Sequence, residues 1–229
     1  MIGVIVPAHN EQEHIEACLN SLIRASGHAG LAGEHVAIIV VLDACDDDTG
    51  SLARGLGART LAVAARNVGV ARQAGAALAL AAGARWLAFT DADSVVAPGW
   101  LADQLSLRAD AVCGTVAVED WGRYGERMRR HFEQTYMDED GHSHIHGANL
   151  GVSADAYTAA GGFIGLETGE DVAFVQALKR SGARIAWSRL PRVATSVRSS
   201  FKAPGGFGAT LKKIEMLRLW TGAETAVAA

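Results

Sequence analysis

Cysteine is scarce in this chain. Cys18, Cys45 and Cys113 are an odd number at wide spacing, which excludes a disulfide framework and a zinc-ligand pattern and points to a reducing compartment. Aromatic residues make up only 6% of the 229 residues, so a core of this size, burying roughly 70% of the unfolded surface, must rest on small side chains packed closely. Neither sign of charge dominates: the net charge is -4, and no basic stripe is present, which excludes a nucleic acid polymer as partner. No apolar run reaches the roughly 20 residues of a membrane span; the most apolar stretch, 74–88, is broken by Gly75, Gly83 and Arg85. The N-terminus has no charged region or cleavage site of a signal peptide. These absences lead to the expectation of a cytoplasmic protein, peripheral at most to the inner face of the membrane.

What is present is an alternation. Short β-branched apolar runs at 2–6, 36–42, 60–64 and 86–90 are separated by helical stretches at 11–25, 48–56 and 68–82. Strand-helix alternation predicts an α/β fold, a mostly parallel mixed central sheet flanked by helices. Such sheets bind ligands beyond the carboxyl ends of their strands, and polar residues follow each run. The second half reads as a helix after Pro98, a strand at 111–118, a charged helix at 121–137 and a histidine-rich segment at 138–146. A short strand at 148–152, helices at 154–160 and 171–180 (the latter ended by Gly182) and strands at 183–187 and 192–195 follow. An amphipathic helix at 209–220 ends the chain. There is no internal repeat and no clear linker.

Asp91-Ala92-Asp93 follows the fourth run. Two carboxylates two residues apart in extended chain point the same way, and both can face one hard cation, Mn²⁺ or Mg²⁺. Alone, the turn reads equally as an acidic loop before the helix near Pro98. Asp43 can accept a nucleobase N–H, Pro7 and Ala8 can lend backbone groups to the base, and Glu11 can lie near a ribose. Asn10 is a candidate cap of the first helix, and Asp47 or Asp48 of the second. Asn67 can cap the third, with Arg66 and Arg72 either reaching phosphate or solvating the surface. Glu170 and Asp171 suit the first turn of a helix by its dipole; in a functional reading one of them is a general base. His142, His144 and His146 align on one side only if their segment is extended. His146, Gly147, Ala148 and Asn149 form a candidate wall for an acceptor or sugar, Asn149 by hydrogen bonding.

Taken in order, PAHNE, VVLDACDDDT, ARNVGVARQAG, FTDADSVVAPGWL, HGANLGVSADAYTAAGGF and TGEDVAFVQALKRSG resemble the motifs of family 2 glycosyltransferases of the GT-A fold, over about residues 2–198. The resemblance implies a single Rossmann-like GT-A domain over 1–229, with a nucleotide-sugar-binding half at 1–95, an acceptor and catalytic half at 96–200 and a C-terminal helix at 201–229. It implies inverting transfer of a sugar from a nucleotide-diphosphate-sugar donor to an acceptor hydroxyl, with Mn²⁺ or Mg²⁺. By position, Pro7, Ala8, Glu11 and Asp43 match nucleoside contacts, and Asp91 and Asp93 the DXD metal and diphosphate motif, with Asp93 the more direct ligand. Asp171 matches the base, and Gly147, Ala148 and Asn149 the donor-sugar and acceptor wall. Many relatives carry a late histidine as a further ligand, whereas residues 193–198 hold none; His144, His146 or Arg198 are the substitutes at hand. The Gln-x-x-Arg-Trp motif of processive synthases is absent, which favours a single transfer to a small or soluble acceptor.

Two rival readings stand beside this one. A nucleotidyltransferase needs a glycine-rich basic loop after the first strand, where this chain has PAHNE. A nucleotide-binding protein that has lost turnover fits the missing histidine. A dinucleotide dehydrogenase is excluded, since no G-x-G-x-x-G follows the first strand. The C-terminal helix is open to three roles: homodimer contact, lid or membrane-surface helix.

Overall fold

The computed structural model describes residues 1–118, 121 and 125–195. Eight strands form one sheet: β1 (Ile2–Ala8), β2 (Val36–Asp43), β3 (Arg59–Val63), β4 (Trp86–Phe89), β5 (Ser94–Val96), β6 (Ala111–Val118), β7 (Leu150–Ser153) and β8 (Ile185–Thr195). Their order is β3-β2-β1-β4-β7-β6-β8-β5. β1 pairs in parallel with β2 and β4, and β2 with β3. β7 runs antiparallel to both β4 and β6, and β5 antiparallel to β8. The sheet is therefore mixed, with a parallel first half, as the alternation predicts.

The helices are α1 (Ile15–Ser26), α2 (Thr49–Gly55), α3 (Val68–Ala81), α4 (Trp100–Ser106), α5 (Gly125–Thr135), α6 (Ala154–Ala159) and α7 (Glu170–Arg180), with a 3₁₀ turn at Ala29–Leu31. Successive strand residues face opposite ways, and the core divides accordingly. Val4 and Val6 pack with α1 and α4 through Leu19, Leu22 and Trp100. Ile5 and Val41 pack with α3, α6 and α7 through Ala71, Ala76, Tyr157, Phe174 and Leu178. The alanine-rich helix lies close to the sheet: a Cβ on Gly75 would come within 2.6 Å of Ile5 Cγ2. Small residues thus let α3 approach, as the shortage of aromatics requires. No helix among the described residues is long and apolar enough to cross a membrane.

Several boundaries differ from expectation. α1 starts at Ile15, and its N-cap position is His14, without a side-chain cap. Asn10 does not cap it; that residue takes a left-handed φ of 52°. The backbone amides ahead of the helix are instead held by the loop after β2. Asn10 N–H reaches Cys45 Sγ (3.4 Å), Glu11 N–H donates to Thr49 Oγ1 (2.7 Å), and Gln12 N–H donates to Asp47 Oδ2 (3.2 Å). A tertiary contact supplies the acceptors a local cap would have given. Asp48 sits at the N-cap of α2 with no side-chain capping bond, and Asp47 accepts the Thr49 N–H instead (3.0 Å).

The strands expected at 183–187 and 192–195 are one strand, β8. Its pairing with β6 shifts register between Gly114 and Thr115, where Ser188 and then Arg192 are the partners. Pro191 falls inside that irregularity, the place where a strand tolerates a residue without an N–H. Three elements match their expected placement closely. β6 covers 111–118, α3 is capped by the Asn67 side chain on Val70 N–H, and Gly182 follows α7 with φ 81°. The helix expected at 209–220 lies outside the described residues.

Candidate active site

The chain runs from β1 outward to β3, then returns to place β4 on the other side of β1. Open α/β sheets bind ligands at such a reversal, beyond the carboxyl ends of the strands, here those of β1 and β4. Pro7 and Ala8 end β1, and Asp91-Ala92-Asp93 follows β4. Ala92 is buried, while Asp91 and Asp93 are half-buried.

On the β2 side, Asp43 is buried and organises the neighbouring loop. Its Oδ1 accepts the N–H groups of Ala65 and Arg66, both at 2.8 Å, and its Oδ2 that of Asn67 at 2.7 Å. Arg66 is exposed, with a left-handed φ of 47°. The carboxylate thus fixes the start of α3 and turns the chain so that Asn67 can cap it. His9 Nδ1 meets the Asp43 carbonyl at 2.7 Å, locking the end of β1 to that of β2. Glu11 is buried beside Thr49.

Arg72 occupies the centre of the site. It was expected at the surface or on a phosphate, yet only 3% of it is exposed. Its Nη2 donates to Asp91 Oδ1 at 2.7 Å, and its Nη1 forms a short ion pair with Glu170 Oε1. Burial opposes its charge, but Asp91, Glu170 and Asp171 together keep the guanidinium cationic. Burial pushes the Glu170 carboxyl above its usual range, against the pull of Arg72. The reason Arg72 is drawn inward is a matter of helix geometry: it sits one turn into α3, on the face that turns toward α7. Its Cζ lies 5.6 Å from the centre of the Phe163 ring.

Asp171 lies on the first turn of α7 beside Glu170. Its Oδ2 accepts the Gly147 N–H at 3.0 Å. Gly147 is buried against Arg72, and a Cβ there would overlap the guanidinium. Gly147, Glu170 and Asp171 are thereby brought to Asp91 through one buried cation.

Asn149, a candidate for the acceptor wall, has its side chain engaged inside the fold. It is fully buried; its Oδ1 accepts from Trp100 Nε1 (2.9 Å), and its Nδ2 donates to the carbonyls of Thr115 (2.7 Å) and Pro191 (2.9 Å). Its amide ties the end of β7 to β6, β8 and α4, so its hydrogen-bonding capacity is spent on the fold. Ala148 is buried beside it.

The histidines do align. The ring centres of His142 and His144 are 5.5 Å apart, and those of His144 and His146 5.8 Å. The stack continues through Tyr136, 4.1 Å from His144, to Phe132, 4.4 Å further. Tyr136 was not singled out in the sequence, although its i+4 spacing from Phe132 on α5 was visible. Its hydroxyl meets His146 Nε2 at 2.9 Å and accepts the Val116 N–H at 2.9 Å. Burial holds His146 down at about 3, with His144 and His142 adding to it. His144 Nε2 accepts the Met137 N–H. These rings build a stack rather than a ligand set.

Among the described residues, no group of three His, Cys, Asp or Glu side chains is placed to hold a metal ion. Two carboxylates remain at the β4 turn, and the Asp91 side chain keeps 37% exposure while paired with Arg72. That donor set is all oxygen and suits Mg²⁺ or Mn²⁺ bound through one or two carboxylates, with substrate phosphates and water completing the shell. Arg198, another suggested diphosphate contact, lies outside the described residues.

Residues 3–160, more than half of the chain, match the profile of glycosyl transferase family 2. The chain belongs to that family. The match ends before Glu170 and Asp171. No curated protein matches the chain in sequence. Among solved structures, S. aureus TarS 1-349 in complex with UDP-GlcNAc is similar over 90% of this chain and 61% of that one, at 15% identity and a TM-score of 0.68. A mannosyltransferase from Pyrobaculum calidifontis, PcManGT, in complex with GDP-Man and Mn²⁺, is similar over 86% of this chain and 57% of its own, at 19% identity and 0.64. Glucosyl-3-phosphoglycerate synthase from Mycobacterium tuberculosis, with Mn²⁺, UDP and glucosyl-3-phosphoglycerate, is similar over 86% and 72%, at 21% identity and 0.58. At these identities the likeness establishes the GT-A fold. The chain spans less than two thirds of the TarS chain and of PcManGT.

Proposed function

We propose that the protein is an inverting, metal-dependent glycosyltransferase that moves a sugar from a nucleoside-diphosphate donor to an acceptor hydroxyl. The observation that carries this reading is the pairing of Arg72 with both Asp91 and Glu170. It brings the turn after β4 and the first turn of α7 to one guanidinium, which supports a donor side and a base meeting there.

In this reading residues 1–95 bind the donor and 96–200 the acceptor, within one domain. Pro7, Ala8, Asn10, Glu11 and Asp43 surround the nucleoside, with Arg66 and Asn67 at its edge. Asp93 and Asp91 would hold Mn²⁺ or Mg²⁺, which would supply positive charge against the leaving diphosphate. Asp171 takes the proton of the acceptor hydroxyl as its oxygen bonds to the anomeric carbon. The bond from that carbon to the diphosphate breaks, and the electron pair leaves with the nucleoside diphosphate. Attack from the face opposite the leaving group inverts the anomeric centre. Gly147 N–H keeps Asp171 oriented, and the backbone from His146 to Ala148 borders the sugar.

Calorimetry with UDP, GDP, ADP and dTDP, each with and without Mn²⁺, tests the donor side. One or two of these nucleotides should bind, and Mn²⁺ should tighten binding. Equal, metal-independent binding of all four would remove the role given to Asp91 and Asp93.

A further inference from the structure

A buried arginine whose two terminal nitrogens serve two different carboxylates is a mechanical link. Asp91 belongs to the turn after β4, and Glu170 to the first turn of α7. Arg72 itself is anchored in α3, and its Nε is buried with no hydrogen-bond partner. A guanidinium presents its donors in a rigid planar fork, so its two ends move together. Gly147 packs on the same guanidinium and donates to Asp171.

We propose that Arg72 is a positioning residue that couples occupancy of the donor-diphosphate turn to the orientation of the acceptor-side base. The proposal rests on the glycosyltransferase reading above. Any ligand that draws Asp91 toward itself changes the pull on Nη2. The fork transmits this through Nη1 to Glu170, the residue before Asp171, and through packing to Gly147, the donor to Asp171. The base is then set for proton removal when a donor is bound, and less so when the site is empty. A lysine at this position keeps the charge but lacks the fork, so it can serve only one carboxylate at a time.

Hydrogen exchange measured by mass spectrometry on the full chain tests the link. The probe is UDP or GDP, whichever calorimetry selects, with Mn²⁺. In the wild type, nucleotide should slow exchange of the peptide amides over 169–173 and around Gly147. In Arg72→Lys, nucleotide should still bind within about fivefold while that distal protection disappears. The kcat for transfer or donor hydrolysis should fall by about 100-fold or more with donor KM little changed, as a small misplacement of a reacting group can cost. Should Arg72→Lys not fold, Glu170→Gln keeps size and an acceptor oxygen on α7 and should lose at least half of the protection. Wild-type protection retained in a folded variant that binds nucleotide overturns the coupling, and so does a wild type that binds nucleotide without distal protection. A wild type that binds none of the nucleotides overturns the glycosyltransferase reading, and the coupling falls with it.

Discussion

The Gly147 N–H donates to Asp171 Oδ2 at 3.0 Å while the Gly147 Cα lies against the Arg72 guanidinium. One backbone position thus orients the proposed base and closes over the cation that holds its neighbour, and only glycine leaves room for both. Gly147→Ala should therefore cost about 1–3 kcal/mol of stability, the usual range for overpacking. It should also lower turnover by about 100-fold, because the base is displaced. Urea unfolding and donor turnover check the two effects separately.

Asp43 is a strut before it is a ligand. Asp43→Asn keeps one acceptor oxygen but sets an amide N–H₂ against the Asn67 N–H that Oδ2 now accepts. The start of α3 should loosen, with a loss on the order of 2 kcal/mol for charge-assisted bonds of this kind. Unfolding midpoints measure the loss. Faster amide exchange at 65–67 would locate it there.

How much of this was legible in the sequence varies with the origin of each contact. The parallel strands from β1 to β4 were legible because buried parallel strands read as continuous apolar runs. β5 was not, since three residues carry no periodicity, and β8 was masked by Pro191, which a register irregularity accommodates. Asn10 failed as a cap because the loop after β2 supplies the acceptors from a distance of some 35 residues in sequence. Local pattern cannot show such a partner. At the site, the sequence marked Asp91, Glu170, Asp171 and Gly147 but not what joins them. Arg72 looked like a surface or phosphate-facing arginine, since one helical position says nothing of the two carboxylates that pull it inward. Asn149 shows the converse: its amide looked available, and three partners on α4, β8 and the β6 backbone engage it.

The histidine stack predicts a pH dependence of stability. Burial, with His144 and His142 adding to it, holds folded His146 at about 3, against about 6.5 in an unfolded chain. As pH falls through 6.5 the unfolded chain takes up a proton that the native state refuses, so the contribution of His146 is present above that pH. It is lost progressively down to about 3 by linkage. His144, also lowered by burial, acts in the same direction, while the raised Glu170 acts oppositely at acid pH. Melting temperature should drop between about pH 7 and pH 5 more steeply in the wild type than in His146→Gln. Parallel curves would show that the stack does not exclude the proton.

The three thiols should differ in reactivity. Burial pushes the Cys113 thiol up to about 12 and raises Cys18 further still, whereas Cys45 is half-exposed on the loop after β2. Thiolates are the reactive species. Iodoacetamide on the native protein should add a single adduct, at Cys45, and reach Cys18 and Cys113 only in denaturant. Peptide mass mapping reads the sites.

The central claim is sugar transfer with Asp171 as base, and release of nucleoside diphosphate from UDP- and GDP-sugars in Mn²⁺ by the wild type and by Asp171→Asn tests it most directly. The wild type should release nucleotide from at least one donor. Asp171→Asn should bind that nucleotide within about threefold and lose about 100- to 10,000-fold in rate, the span for removal of a general base. Undiminished release by Asp171→Asn would place the base elsewhere, and no release from any donor by a wild type that binds nucleotide would contradict the assignment as a transferase.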